Sequence, residues 1–214
     1  MALHTATLVR SSMSSHNLLR ITLSLIFIST LFLHTASAAS TSSNALNTYK
    51  KFIKDKCNST TYSDVCYKSL SPYASKIKTN ILTLTKTSVY LALNAAKSAS
   101  TTLNKLSKSK GNLTQAETEV IADCKDNIGD TVDLIQQSAD GLEGLNGVTT
   151  EEERFQWDDI KTWMSSCITD ESTCTDEFDE MVVRPSLQKK IKPTVAIVAQ
   201  KSSIALALVN RLFY

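Results

Sequence analysis

Three kinds of side chain give this 214-residue chain its reactive potential: three histidines, five cysteines and 21 carboxylates. The histidines, His4, His16 and His34, all precede Ala36-Ser37-Ala38, a small-residue pattern of the kind signal peptidase cuts. Nucleophile–base catalysis usually takes histidine as its base. A chain cut after Ala38 therefore holds no Ser-His-Asp or Cys-His pair. The cysteines, Cys57, Cys66, Cys124, Cys167 and Cys174, have none of the Cys-x-x-Cys spacing of zinc sites. No Gly-x-Gly-x-x-Gly and no phosphate loop occurs. Paired carboxylates stand at Asp158-Asp159 and in Asp176-Glu177-Phe178-Asp179-Glu180. Such pairs serve acid–base chemistry in glycosidases, but a charge run on a helix reads first as a solvated face. The run also lacks the glycine of a calcium loop. The expectation is a protein that is not an enzyme and needs no cofactor or metal.

The positions that remain belong to an exported chain. Arg10 and Arg20 precede the apolar run Ile21–Leu33, and the cleavage pattern follows; residues 1–38 are thus expected to be a secretory signal. Removing them lowers the 23 basic side chains to 21, equal to the 21 acids. A neutral sum argues against a broad positive field for nucleic acid. No other run has the length and apolarity of a membrane span. Residues 39–214 suit one domain with a proper core.

An oxidising compartment favours bridges among the cysteines, and five leave one over. Cys57 and Cys66 lie close enough to staple two short helices, contributing on the order of 2–3 kcal/mol. Cys174 has two possible partners by spacing, Cys124 or Cys167. Cys167 falls on an apolar stripe and reads as a buried free thiol. Asn58-Ser59-Thr60 and Asn112-Leu113-Thr114 are glycan acceptor sequences, which places Asn58 and Asn112 on the surface of a secreted chain.

Helices must position all of this. Leu46, Tyr49, Phe52 and Ile53 recur at helical spacing up to Cys57, and a second short helix spans Tyr62 to Leu70. Ser71-Pro72 has the form of another helix start. A long stripe then runs Ile81, Leu84, Ser88, Leu91, Ala95, Ala99, Thr102, Leu106, with Lys105, Lys108 and Lys110 at its end and Gly111 as its stop. Thr114-Gln115-Ala116-Glu117 and Thr150-Glu151-Glu152-Glu153 are capping boxes. They open the stripes Ile121–Leu142 and Trp157–Ile168. Gly129 weakens the first by about 1 kcal/mol relative to alanine, and Gly141, Gly144 and Gly147 are expected to break the chain into a turn. A separate helical stretch is expected around Phe178, Met181 and Val182. The last helix, about 186–210, is apolar nearly all round through Ile197, Ile204 and Leu208, so it should be the most buried. Pro193 should kink it or delay its start. Strand alternation is absent, so the expected fold is all-α: an up-down-up-down four-helix bundle with an N-terminal helical hairpin.

Four segments, in order, give this pattern a family resemblance. They are Cys57-x-x-Thr60-x-Tyr62-x-x-x-Cys66-x-x-x-Leu70, Ala122-Asp123-Cys124, the stretch Trp163-Met164-Ser165-Ser166-Cys167-Ile168-Thr169-Asp170-Glu171-Ser172-Thr173-Cys174, and Lys201–Asn210. Together they resemble the plant invertase/pectin methylesterase inhibitor family across the mature chain; Ser63 replaces the proline usual after the tyrosine. The resemblance implies bridges Cys57–Cys66 and Cys124–Cys174, with Cys167 where the family has alanine. It implies a four-helix bundle with a helical hairpin over 39–214. It also implies inhibition of an apoplastic, cell-wall enzyme. One branch of the family caps the cleft of pectin methylesterase; the other blocks acid invertase.

Invertase inhibitors often carry a Pro-Lys-Phe tripeptide. Here the prolines precede Tyr73, Ser186 and Thr194, so the methylesterase branch is the favoured reading. Asp126, Asp130 and Asp133 recur every three to four residues beside the apolar stripe. With Asp158 and Asp159 they are the candidate target-binding residues, and acidic contacts make binding sensitive to salt and to pH.

Overall fold

The computed structural model describes residues 43–108, 113–145 and 147–213, together with Arg20, Leu23 and Ser24. Apart from Arg20, Leu23 and Ser24, the segment 1–38 expected to be a secretory signal lies outside the described residues, as do Lys110, Gly111 and Asn112. The chain divides into two compact units, Met1–Ala45 and Leu46–Tyr214. In the first, Arg20, Leu23 and Ser24 are helical and exposed. Everything below concerns the second.

Its elements, in order, are α1 (helical over 43–57, of which 46–57 belong to this unit), α2 (Ser63–Leu70), a single 3-10 turn (Ser71–Tyr73), α3 (Ala74–Ile77), and the long helices α4 (Ile81–Ser107), α5 (Gln115–Gly144), α6 (Glu151–Glu180) and α7 (Pro185–Val209). Each long helix packs on the next and α4 closes against α7, which gives the up-down-up-down bundle. Two apolar clusters hold the unit together. The larger fills the bundle, with Ala92, Ala96, Leu103, Ile121, Ile128, Ile135, Ile160, Met164, Phe178 and Val198 among its members. The smaller lies under the hairpin and joins Ile53, Leu70 and Ile77 to Leu84, Ile204 and Leu208. Cys57 is bridged to Cys66 and Cys124 to Cys174, and Cys167 is free and buried.

Helix starts follow the local chemistry. Asn80 accepts from the Thr83 amide at 2.8 Å. Thr114 and Thr150 accept from the amides of Glu117 and Glu153, at 3.2 and 3.1 Å. Glu117 and Glu153 reach back to the amides of Thr114 and Thr150, completing both capping boxes.

Several expectations need correction. Ser71-Pro72 opens only a 3-10 turn and the four-residue α3. Lys78, at φ 54° and ψ −120°, then turns the chain, and the Asn80 amide donates to Ile77 O at 3.1 Å. Leu46 is exposed in the first half of α1. On α4 the buried seam is Val89, Ala92, Ala96, Ala99 and Leu103, while Leu91, Ala95, Thr102 and Leu106 are only half-buried. The helix faces both α5 and α7, so its apolar sector is wider than one stripe and centred elsewhere. Gly141 does not break α5, which ends only at Gly144, before the turn that holds Gly147. A Cβ on Gly141 would stand 3.1 Å from the Ile160 side chain, so that glycine permits close approach of α5 and α6. The segment around Phe178 is no separate helix, since α6 runs unbroken to Glu180, and Val182 beyond it is exposed. Pro193 does not delay α7. Ile197 is exposed, so only the second half of α7 is buried on two sides: Ala205 and Val209 face the bundle, Ile204 and Leu208 the hairpin.

Candidate functional site

The exposed side chains of α5 and α6 are mostly carboxylates. These two helices carry 19 of the 21 acidic side chains and three basic ones. Helices α4 and α7 carry seven basic side chains and no acid, and residues 43–80 add seven basic against two acidic. Because α5 packs on α6 and α4 on α7, the segregation along the chain becomes segregation in space. The neutral total therefore conceals a strongly acidic side and a strongly basic one, which corrects the inference that a zero sum leaves no broad positive field. Counting charge helix by helix would have found this in the sequence.

Asp126, Asp130 and Asp133 are exposed and share an edge of α5. They line a groove of about 440 Å³ against Ser100 and Asn104 of α4, with Lys125 and Gly129 in its wall. The structure does not bring Asp158 and Asp159 to them. The Cys124–Cys174 bridge and the contact of Cys167 Sγ with Thr131 O fix the antiparallel register of α5 and α6. Gln156 Nε2 donates to Gly141 O at 3.0 Å, which sets Asp158 and Asp159 level with Gly141. That is about 16 Å along the axis from Asp130 at the helical rise. Asp158 instead lines a separate groove of about 570 Å³ with Ser165, Leu206 and Asn210, between α6 and α7. It pairs with Lys161 at 2.5 Å, and Lys161 lies over the Trp157 ring.

Like charges meet across the α5–α6 seam. Burial, and then the charge of Asp130, raise the carboxyl of Asp170; burial followed by Asp123 and Glu180 does the same to Glu177. One oxygen of each is buried without a hydrogen-bond partner. A seam of mutually repelling carboxylates is an arrangement that a cationic partner relieves.

Two carboxylates are buried that the sequence does not mark so: Glu117 reads there only as a helix cap, and Glu171 has no role. Glu117 caps α5 and also holds Arg184 at the head of α7, accepting from Nε at 2.6 Å and Nη2 at 2.5 Å. These bonds, led by that from Arg184, bring its carboxyl down to about 2. Glu171 lies inside the bundle, where one oxygen accepts from Ser202 at 2.7 Å and the other has no partner. Burial pushes it up to about 8. Its neighbour Cys167 is pushed up to about 12, chiefly by burial and then by the charges of Glu171 and Asp170, so its thiolate is not formed near neutral pH. Glu171 falls on the helical spacing Trp157, Ile160, Met164, Cys167, Glu171, Cys174, Phe178, so extending the stripe beyond Ile168 would have marked it as buried, and only its charge hid it.

Asn58 is exposed in the turn after α1, open to a glycan. Among the described residues no cluster of three potential ligands could hold a metal ion, and no helix is long and apolar enough to cross a membrane.

The model of the family described as plant invertase/pectin methylesterase inhibitor matches residues 51–208. Pectinesterase inhibitor 10 of Arabidopsis thaliana is 38% identical over 172 residues, covering 80% of this chain and 54% of its own length. The chain thus spans about half of that relative. The "21 kDa protein" of Daucus carota is 34% identical over 160 residues, covering 75% of this chain and 82% of its own. The crystal structure of a mutant form of a pectin methylesterase inhibitor from Arabidopsis superposes with a TM-score of 0.57. It covers 72% of this chain and 92% of that one at 16% identity, a likeness of fold alone.

Proposed function

Since the chain belongs to the plant invertase/pectin methylesterase inhibitor family, we propose that it is a secreted inhibitor of pectin methylesterase in the cell wall. It acts by non-covalent binding that covers the enzyme's substrate cleft. The observation that carries the reading is the match over 51–208 together with relatives named as pectinesterase inhibitors. Residues 1–38 would direct the chain outward and leave 39–214 as the inhibitor domain.

The docking side is that of α5 and α6. Asp126, Asp130 and Asp133 offer three carboxylates from one helix edge, set on a rigid element so that little entropy is lost on binding. Asp158 and Asp159 form a second, separate contact region at the other end of α6. Acidic contacts of this kind raise the association rate and lose strength with salt.

The test is methanol release from methyl-esterified pectin by a plant pectin methylesterase, with and without the purified protein, beside sucrose hydrolysis by an acid invertase. The expected result is stoichiometric loss of methanol release and unchanged sucrose hydrolysis. Inhibition of the invertase alone would reverse the choice of target.

A further inference from the structure

The basic side of the bundle has no part in that reading. At its edge the hairpin and α4 enclose a groove of about 220 Å³, walled by Tyr73, Lys76, Thr83, Lys86 and Tyr90, with Glu143 of α5 at the rim. Tyr73 is 36% and Tyr90 56% exposed, and neither ring joins either apolar cluster. Packing therefore does not account for two large aromatic rings beside one another's groove. Lys86 pairs with Glu143 at 3.0 Å, an ion pair open enough to water that exchange for another carboxylate loses little. Behind the groove lie the acid-free helices α4 and α7 and the lysine-rich hairpin.

We propose that this side, entered at the Tyr73–Tyr90 groove, docks a linear polysaccharide whose sugar rings carry carboxylates. The apolar C–H face of a sugar ring packs on an aromatic face, which a small inorganic anion cannot use. Lys76 and Lys86 supply ammonium groups for uronate carboxylates, and the phenol and threonine hydroxyls hydrogen-bond ring hydroxyls. A neutral glycan would leave the lysines unused, and the long-range field of eight further lysines in residues 43–80 and α4 acts only on a polyanion. The proposal stands on charge and shape alone, apart from the inhibitor reading. The polymer sits on the basic side, and the acidic side stays open.

The experiment is fluorescence anisotropy of a labelled decamer of α-1,4-linked galacturonate titrated with the purified protein, without any esterase. Saturable binding is expected, weakening about tenfold or more between about 20 and about 200 mM NaCl. The fully methyl-esterified decamer should bind at least about tenfold more weakly. Lys76→Glu with Lys86→Glu should lose about tenfold or more, and Tyr90→Ala about fivefold with the salt dependence kept. Both variants should melt normally and inhibit methanol release as the parent does, so the two readings fail separately. The proposal is overturned by absence of saturable binding at low salt, by equal binding of the ester, or by unchanged affinity in the variants. Equal affinity for a single-stranded DNA of the same charge, or sedimentation showing that the signal tracks self-association of acidic side on basic side, overturns it too.

Discussion

The two sides of the bundle are built from helices of similar length but are held together by different means. Between α4 and α7 the buried residues are small or aliphatic: Ala92, Ala96 and Ala99 on one helix, Val198, Ala205 and Val209 on the other. Thr85 and Thr87, buried on α4, return their hydroxyls to carbonyls of their own helix. The α5–α6 side instead buries ionisable and redox-active groups: Glu117 under Arg184, Glu171 under Ser202, Cys167, and the Cys124–Cys174 bridge. The α5–α6 side thus buries groups that respond to pH and to oxidation, whereas the α4–α7 contact is apolar and oxidation reaches the basic side only through the hairpin bridge Cys57–Cys66.

The bridges give the largest expected contrast. Replacing Cys124 and Cys174 by serine should cost about 4 kcal/mol of unfolding free energy by loop entropy, and replacing Cys57 and Cys66 about 2–3 kcal/mol. Denaturant titration of the two double variants measures both, and a larger loss at the hairpin would break the contrast.

Next comes Glu171. Its folded value of about 8 lies above the ordinary 4.5, so the fold favours the protonated acid. That stabilisation is complete below about pH 4.5 and is lost as pH rises through about 8, an effect on the order of a few kcal/mol. Melting temperature should therefore fall from acidic toward mildly alkaline pH, and Glu171→Gln, which keeps the Ser202 bond, should flatten the slope. Equal slopes in parent and variant would remove Glu171 from the explanation.

Smaller effects separate positions within α5. Gly141→Ala places a methyl against Ile160 and should destabilise by about 1–2 kcal/mol. Gly129→Ala meets nothing within 4 Å and should stabilise by about 1 kcal/mol through helix propensity. Lys78→Gly, at the positive φ before α4, should add about 1 kcal/mol on the hairpin side. Thermal melts of the three single variants check signs as well as sizes.

Periodicity and capping residues made the helices legible. Thr114 with Glu117 and Thr150 with Glu153 mark their helix starts to the residue, because those side chains bond only within four positions of themselves. What stayed hidden depends on partners distant in sequence. Gly141 reads as a turn signal until Ile160 is set opposite it. Glu117 reads as a cap until Arg184, 67 positions on, is brought beneath it. Asp158 and Asp159 look equivalent to the α5 aspartates until the register of α5 and α6 separates them. The charge segregation is different in kind: it was present in the sequence, and a whole-chain sum averaged it away.

The most direct test of the docking side returns to methanol release from pectin. Asp126→Asn, Asp130→Asn and Asp133→Asn combined touch only exposed positions, so the variant should fold and melt as the parent does. The expected result is potent inhibition by the parent protein and inhibition weaker by about tenfold or more in the triple variant, with the difference shrinking at high salt. Undiminished inhibition by the triple variant would contradict the α5 face as the contact surface, and no inhibition by the parent of any plant esterase from acidic to neutral pH would contradict the function itself.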